Sequence, residues 1–328
     1  MSTATVEILE EAYEDNPKSA ALLKQHLGLG NAFSKIKASA WLEKTKAADL
    51  AHQLGKGVRP WEIVNVSGKL DPKQPWFGVE YETGYNTKDQ YTKVINHVWA
   101  NHPLTAIDRE GCGEWPVEIT FAPVNMDVFM SKEYHMDKLL KFQKEASCPH
   151  ARHSSNDNIG THVNVSTPTY RNLTRGDANH VAMLMNATNR MQTDDCQRVF
   201  GRRPYGGYSP MSDLRANQWI EGKLFNSTGS PIVWAKYKKV MSRIGELIEH
   251  FSRLARDKNL PTIYRRTKDG LAIDRDTVGG WENWPNERDL DVISCPDLAK
   301  FLLGAIELDD LKFPYKAYRR KGVAVHGY

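Results

Sequence analysis

No run of apolar residues in this 328-residue chain approaches the ~20 that a membrane-spanning helix requires, which argues against a helical membrane protein. Cysteine is also scarce. Cys112, Cys148, Cys196 and Cys295 stand far apart and form no CxxC pair, which fits a reduced, cytoplasmic setting. Cys148, His150 and His153 cluster in sequence, but a closed zinc site needs four ligands and no second pair at matching spacing accompanies them. Neither sign of charge prevails: 44 Lys and Arg face 40 Asp and Glu, for a net charge of +4. The basic stretch from Lys312 to Lys321 reads as solvated surface, and nucleic acid is not an expected partner. The segment from Met1 to Asp15 has neither the basic start nor the apolar stretch of a signal peptide. No internal repeat is visible.

What remains is an ordinary globular composition, 40 % hydrophobic and 26 % charged, with chain enough for one large domain with appendages or two ordinary ones. Apolar positions recur at helical intervals through Val6, Leu9 and Ala12, through Ala21, Leu22 and Leu27, and along Ala32 to Leu54. Gly55, Gly57 and Pro60 punctuate this region, and Asp71-Pro72-Lys73-Gln74-Pro75 breaks the chain again. The expected division is a helical N-terminal appendage over 1–70, a main domain over 71–260 and a C-terminal extension over 261–328 packed on it. Within the main domain, helices are expected from a Thr87 cap through Trp99, from Lys132 to Ala146, and from an Asp177 cap to Phe200 with Gly201 at C′. A fourth starts at Ser230 with Pro231 in its first turn. Trp234, Tyr237, Met241, Ile244, Ile248 and Phe251 are its apolar stripe. The cluster Trp281-Glu282-Asn283-Trp284-Pro285 suggests no particular role.

Four short segments between these helices carry the chemistry: Gly78 to Glu82, Val117 to Phe121, Thr161 to Val165 and Ile220 to Leu224. Successive strand residues point to opposite faces, so Glu80 with Glu82, His162 with Asn164, and Glu221 with Lys223 each share a side. Val79, Ile119, Val163, Val165, Ile220 and Leu224 face away. An ordinary sheet with one wet face produces the same alternation. Here, however, each patterned strand supplies a potential ligand, Glu118 included, and carboxylates as close as Glu80 and Glu82 repel unless a proton or cation lies between them. Oxygen donors dominate, which favours Mg²⁺ or Mn²⁺ over zinc.

The segment Gly201-Arg202-Arg203-Pro204-Tyr205-Gly206-Gly207-Tyr208 reads as a loop, since Pro204 disfavours a helical Arg203. Its glycines allow backbone N–H groups close to an anion, and Arg202 and Arg203 present planar forks that match phosphate oxygens. A plain turn with solvated arginines is the alternative.

Phe77 to Glu82, the Glu118 strand, Gly160 to Val165, the loop at 201 to 203 and Ile220 to Thr228 together resemble, in order and spacing, the amidoligases of the glutamine synthetase and glutamate–cysteine ligase superfamily. The likeness covers roughly residues 75 to 250. It implies an α+β fold, a curved and mostly antiparallel β-sheet with flanking helices, and an ATP- and Mg²⁺-dependent carboxylate–amine ligase that works through an acyl phosphate. Carried over residue by residue, Glu80, Glu82, Glu118, His162, Asn164 and Glu221 would hold metal. His162, Arg202, Arg203 and Lys223 would bind ATP, and Glu80, Glu221, Lys223 and Arg202 would be catalytic. The partners implied are a small-molecule or peptide carboxylate and an amine. Two positions depart from the family pattern: Asn164 stands where a second histidine is frequent, and Lys223 where an arginine is usual. Asn still offers a carbonyl oxygen to Mg²⁺, and Lys keeps the charge without the bidentate fork.

Two other readings fit the same residues. Paired glutamates facing a groove also suit hydrolysis of a glycosidic bond, and a non-catalytic interaction or assembly protein retaining the scaffold would show departures such as Asn164 and Lys223.

Overall fold

The computed structural model describes residues 61, 67–102, 105–108, 114–149, 159–188, 193–201, 207–212, 217–258, 264–267, 270–273, 295 and 297–311. The helices expected before residue 60, His150, His153, Arg202, Arg203, the Trp281 cluster and the basic stretch after Leu311 lie outside the described residues.

An alternating stretch, Trp76–Tyr85, forms β1. Thr87 then caps α1 (Lys88–Asn101), its hydroxyl accepting from the Gln90 amide at 3.2 Å, as a helix N-terminus with unsatisfied donors requires. β2 (Ala106–Asp108) and β3 (Trp115–Asn125) follow, then α2 (Met126–Met130) and α3 (His135–Glu145). β4 spans Gly160–Ser166, α4 Arg175–Thr188, α5 Thr193–Phe200, β5 Tyr208–Ser212 and β6 Gln218–Asn226. The Ser230 hydroxyl accepts from the Val233 amide to start α6 (Pro231–Arg256), with Pro231 in the first turn.

The six strands make one antiparallel sheet in the order β2-β3-β1-β4-β6-β5. The chain is thus α+β, with helices flanking the sheet. A separate pair, β7 (Tyr264–Thr267) and β8 (Gly270–Ile273), forms a two-stranded sheet of its own. The apolar face of the large sheet presents Phe77, Val79, Tyr81, Ile119, Phe121, Val163, Val165 and Ile220, all buried. α6 covers it with its expected stripe, Trp234 through Phe251, also buried. Each large side chain so buried contributes about 1.5–3 kcal/mol. The helix approaches closely because Gly245 faces the sheet: a Cβ there would lie 3.1 Å from Phe77 Cζ and 3.6 Å from Val165 Cγ1. Phe77 in turn stacks on Phe129 of α2, ring centroids 4.5 Å apart. At the β3 end, His97 of α1 stacks on Phe142 of α3 at 3.7 Å, and His102 meets His135 Nδ1 to Nδ1 at 2.9 Å.

On α7 (Leu298–Leu302), Phe301 lies under the Arg243 guanidinium of α6 at 5.3 Å, and Arg243 binds both Glu307 oxygens at 2.8 and 3.0 Å.

The structure corrects three expectations. The helix starting at an Asp177 cap instead begins at Arg175. Thr174 Oγ1 accepts from the Asp177 amide at 3.2 Å and donates to the Asp177 carboxylate at 2.8 Å, so Asp177 occupies the third helical position. That helix ends at Thr188, and α5 is a second element ending at Phe200, with Gly201 beyond it at φ +76°. Tyr208 belongs not to the glycine loop but to β5, the edge strand of the sheet among the described residues, where Pro210 is tolerated because no described strand pairs with its outer side. Asn186 of α4 satisfies the start of that edge, accepting from the Tyr208 amide at 2.7 Å and donating to its carbonyl at 2.8 Å.

Candidate metal centre

Cross-strand partners share a face of a sheet, and the observed register builds the polar face in three rows. Glu118 and Glu82 form one; Thr120, Glu80, His162 and Lys223 the next; Gly78, Asn164, Glu221 and Ser209 the third. The assembly depends on an irregularity. β4 and β6 shift register between Thr161, opposite Phe225, and His162, opposite Lys223, leaving Leu224 as the extra residue of a bulge. In unbroken register Lys223 would oppose Val163 and point into the core with it. The bulge returns Lys223 and Glu221 to the face of His162 and Asn164, while Leu224 and Phe225 are both buried.

At the centre lies His162. Its Nδ1 is 3.2 Å from Glu80 Oε2 and 3.3 Å from Glu221 Oε1, and its Nε2 is 3.2 Å from Glu82 Oε1. Burial on its own would push this imidazole down. Hydrogen bonds to Glu221 and Glu80, with the charges of Glu82 and Glu80, outweigh it, and the pKa is pushed up to about 9. The ring is therefore an imidazolium at neutral pH and offsets part of the carboxylate charge.

Glu80, His162 and Glu221 each offer one ligand atom within 4.8 Å of the others, the one group of this kind among the described residues. The remaining sequence candidates are distributed around them. Glu82 shares the face but has both oxygens engaged, Oε1 by His162 and Oε2 by the Gly160 amide at 2.7 Å. Glu118 is buried one strand away and accepts from Thr120 Oγ1 at 3.0 Å. Lys223 Nζ is 3.6 Å from Glu221 Oε1. Asn164 Nδ2 donates to Glu80 Oε1 at 3.0 Å, and its Oδ1 is buried with no hydrogen-bond partner.

That orphaned oxygen tests whether the residues suit a cation. A buried acceptor without a donor costs about 1–3 kcal/mol, and a positive ion beside Glu80 relieves it. With carboxylate, amide and imidazole donors converging on a half-buried face, the set suits a hard divalent cation. Sequence reasoning missed Thr120 and Ser209. Ser209 is buried opposite Glu221 with its hydroxyl unpartnered. Strand alternation is the signal that would have found Thr120, whereas Ser209 is hidden by the adjacent Pro210.

No protein-family model matches the chain, and neither does any curated protein sequence.

Proposed function

We propose that this chain is an ATP- and Mg²⁺-dependent carboxylate–amine ligase of the glutamine synthetase and glutamate–cysteine ligase type. The observation that carries the reading is the convergence of Glu80, His162 and Glu221 on the polar face of an antiparallel sheet, with Asn164 Oδ1 left unpartnered beside them. Glu80, Glu221, His162 and Asn164 would hold the cation. Bound there, Mg²⁺ supplies charge neutralisation for a transferring phosphoryl group.

In the reaction proposed, a substrate carboxylate oxygen attacks the γ-phosphorus of ATP and ADP leaves, giving an acyl phosphate. The amine nitrogen then attacks the acyl carbon, loses a proton, and expels inorganic phosphate to leave an amide. Lys223, half-exposed next to Glu221, is the cation on this face suited to the phosphoryl oxygens. The walls of the site supply position and fixed charge, which is most of what phosphoryl transfer asks of a protein.

A screen for ADP release against pooled acids and amines tests the reading. Release that requires both partners supports ligation. Substrate cleavage without ATP would point to a hydrolase.

One observation favours a second reading. His162 already contacts three carboxylates, so in its protonated state it offsets part of the cluster's charge without any ion, as in a retired site retained for structure. Calorimetric titration with Mg·ATP separates the two, since a retired site gives no heat of binding.

A further inference from the structure

We propose that the acid taken by this site carries an aromatic ring, and that Trp219 with Met211 forms the platform on which the ring stacks. This rests on the ligase reading above.

The polar face continues past Glu221. β6 pairs with β5 without a register shift from Gln218 to Gly222, so Trp219 lies on the same face as Glu221. Met211 of β5 stands opposite Trp219, two residues beyond Ser209, and Trp76 of β1 stands opposite Ser166 of β4. One row beyond Gly78, Asn164, Glu221 and Ser209, ionisable and amide groups thus give way to Trp76, Ser166, Trp219 and Met211. The two tryptophans differ. Trp76 is buried, donates from Nε1 to the Asp71 carbonyl at 2.9 Å, and carries the Arg171 guanidinium 3.6 Å from its ring centroid. Trp219 is only partly buried, its neighbour Met211 is 39 % exposed, and no ring or cation of the described residues stacks on it. An open indole beside a thioether is a surface that water serves poorly and that the face of an aromatic ring fits.

Position along β6 decides which reactant the platform serves. Lys223, Glu221 and Trp219 follow one another on one face, so Glu221 and the metal group it belongs to lie between the cation suited to the phosphoryl oxygens and the indole. In phosphoryl transfer the attacking and leaving oxygens are roughly in line across the phosphorus. With ADP leaving on the Lys223 side, the carboxylate attacks from the Trp219 side, and adenine lies away from the platform. Two residues of strand span about 7 Å. The ring therefore stands a short chain of carbons from the carboxylate, as in an arylalkanoic acid or a peptide with an aromatic C-terminal residue.

The test measures ADP release by the full chain with Mg·ATP and one pool of amines, comparing phenylpropionate with propionate and phenylalanine with alanine. The aromatic member of each pair should show a kcat/KM about 10-fold higher, the worth of one stacking contact. Trp219→Ala should raise KM for the aromatic acid about 10-fold, with the affinity for Mg·ATP, read by calorimetry, unchanged. Trp219→Phe, which keeps a ring, should restore most of the loss. Aliphatic acids used as well as aromatic ones by the wild-type protein, a comparison that needs no variant to fold, would overturn the platform and leave the ligase reading standing. So would a Trp219→Ala protein that binds Mg·ATP more weakly but Mg·tripolyphosphate as before, because the stacked ring would then be adenine. Wild-type protein that gives no heat with Mg·ATP and releases no ADP with any acid would overturn the ligase reading and the platform together.

Discussion

Asn164 gives its amide hydrogen to Glu80 Oε1 at 3.0 Å while its own carbonyl oxygen stays buried without a donor. One side chain thus completes the hydrogen bonding of a neighbouring carboxylate and leaves an acceptor unsatisfied beside it. Such an arrangement is more comfortable with a cation present than without.

Asn164→Asp should therefore separate the two states of the site. Replacing the donor with a carboxylate next to Glu80 removes a hydrogen bond and adds like charge, and the metal-free protein is expected to lose about 1–3 kcal/mol. Thermal unfolding with and without Mg²⁺ measures it: the variant should gain more from the ion than wild type does. Equal Mg²⁺ shifts in both proteins would speak against a cation at this position.

Glu80→Gln and Glu221→Gln are each expected to abolish ATP turnover with the fold intact, because both remove a charged ligand from the same group. Circular dichroism checks the fold and ADP release checks the activity. Near wild-type turnover in both variants would refute the ligase reading.

The metal-free protein should be most stable near pH 6.5, falling off on either side for two different histidines. His102 is pushed down to about 2, first by burial and then by the charges of His135, His97 and Lys138. Below its ordinary value of 6.5 the unfolded chain takes up a proton that the folded chain refuses, so stability declines as pH falls, by about 1.4 kcal/mol per pH unit. His162 works in the opposite sense. Its pKa is raised to about 9, so its contribution is complete below 6.5 and is lost as pH rises through 9. Urea midpoints across this range give the profile, and His102→Gln should flatten the acid limb alone.

Gly245→Val is expected to destabilise by about 1–3 kcal/mol despite removing a helical glycine. The new Cβ would lie 3.1 Å from Phe77 Cζ, and Phe77 is fully buried and stacked on Phe129, so the ring has little room to retreat. Chemical denaturation measures the change, and a variant as stable as wild type would show that the α6–sheet contact is looser than its geometry indicates.

Much of the frame is legible in the sequence because its signals are local. The Thr87 and Ser230 caps depend on a hydroxyl and an amide three residues ahead, and Gly201 on one backbone angle. Ambiguity arises where two residues share a talent: Thr174 and Asp177 are both good caps, and only the coil geometry before Arg175 gives the role to Thr174. β5 is illegible for a related reason, since Pro210 forbids a central strand but not an edge, and position within a sheet is not written in the strand itself.

Alternation in β1, β3, β4 and β6 by itself determined which side chains face water and which face the core, because side-chain direction along a strand is set residue by residue. How the rows line up was decided only by the tertiary fold. The bulge at Leu224 and the pairing of Glu80 with His162 are relations between strands far apart in sequence, and they are fixed by packing of the apolar face beneath them. That Glu82 meets His162 Nε2 and the Gly160 amide is likewise set by the pairing of strands across the sheet, which a linear pattern does not encode.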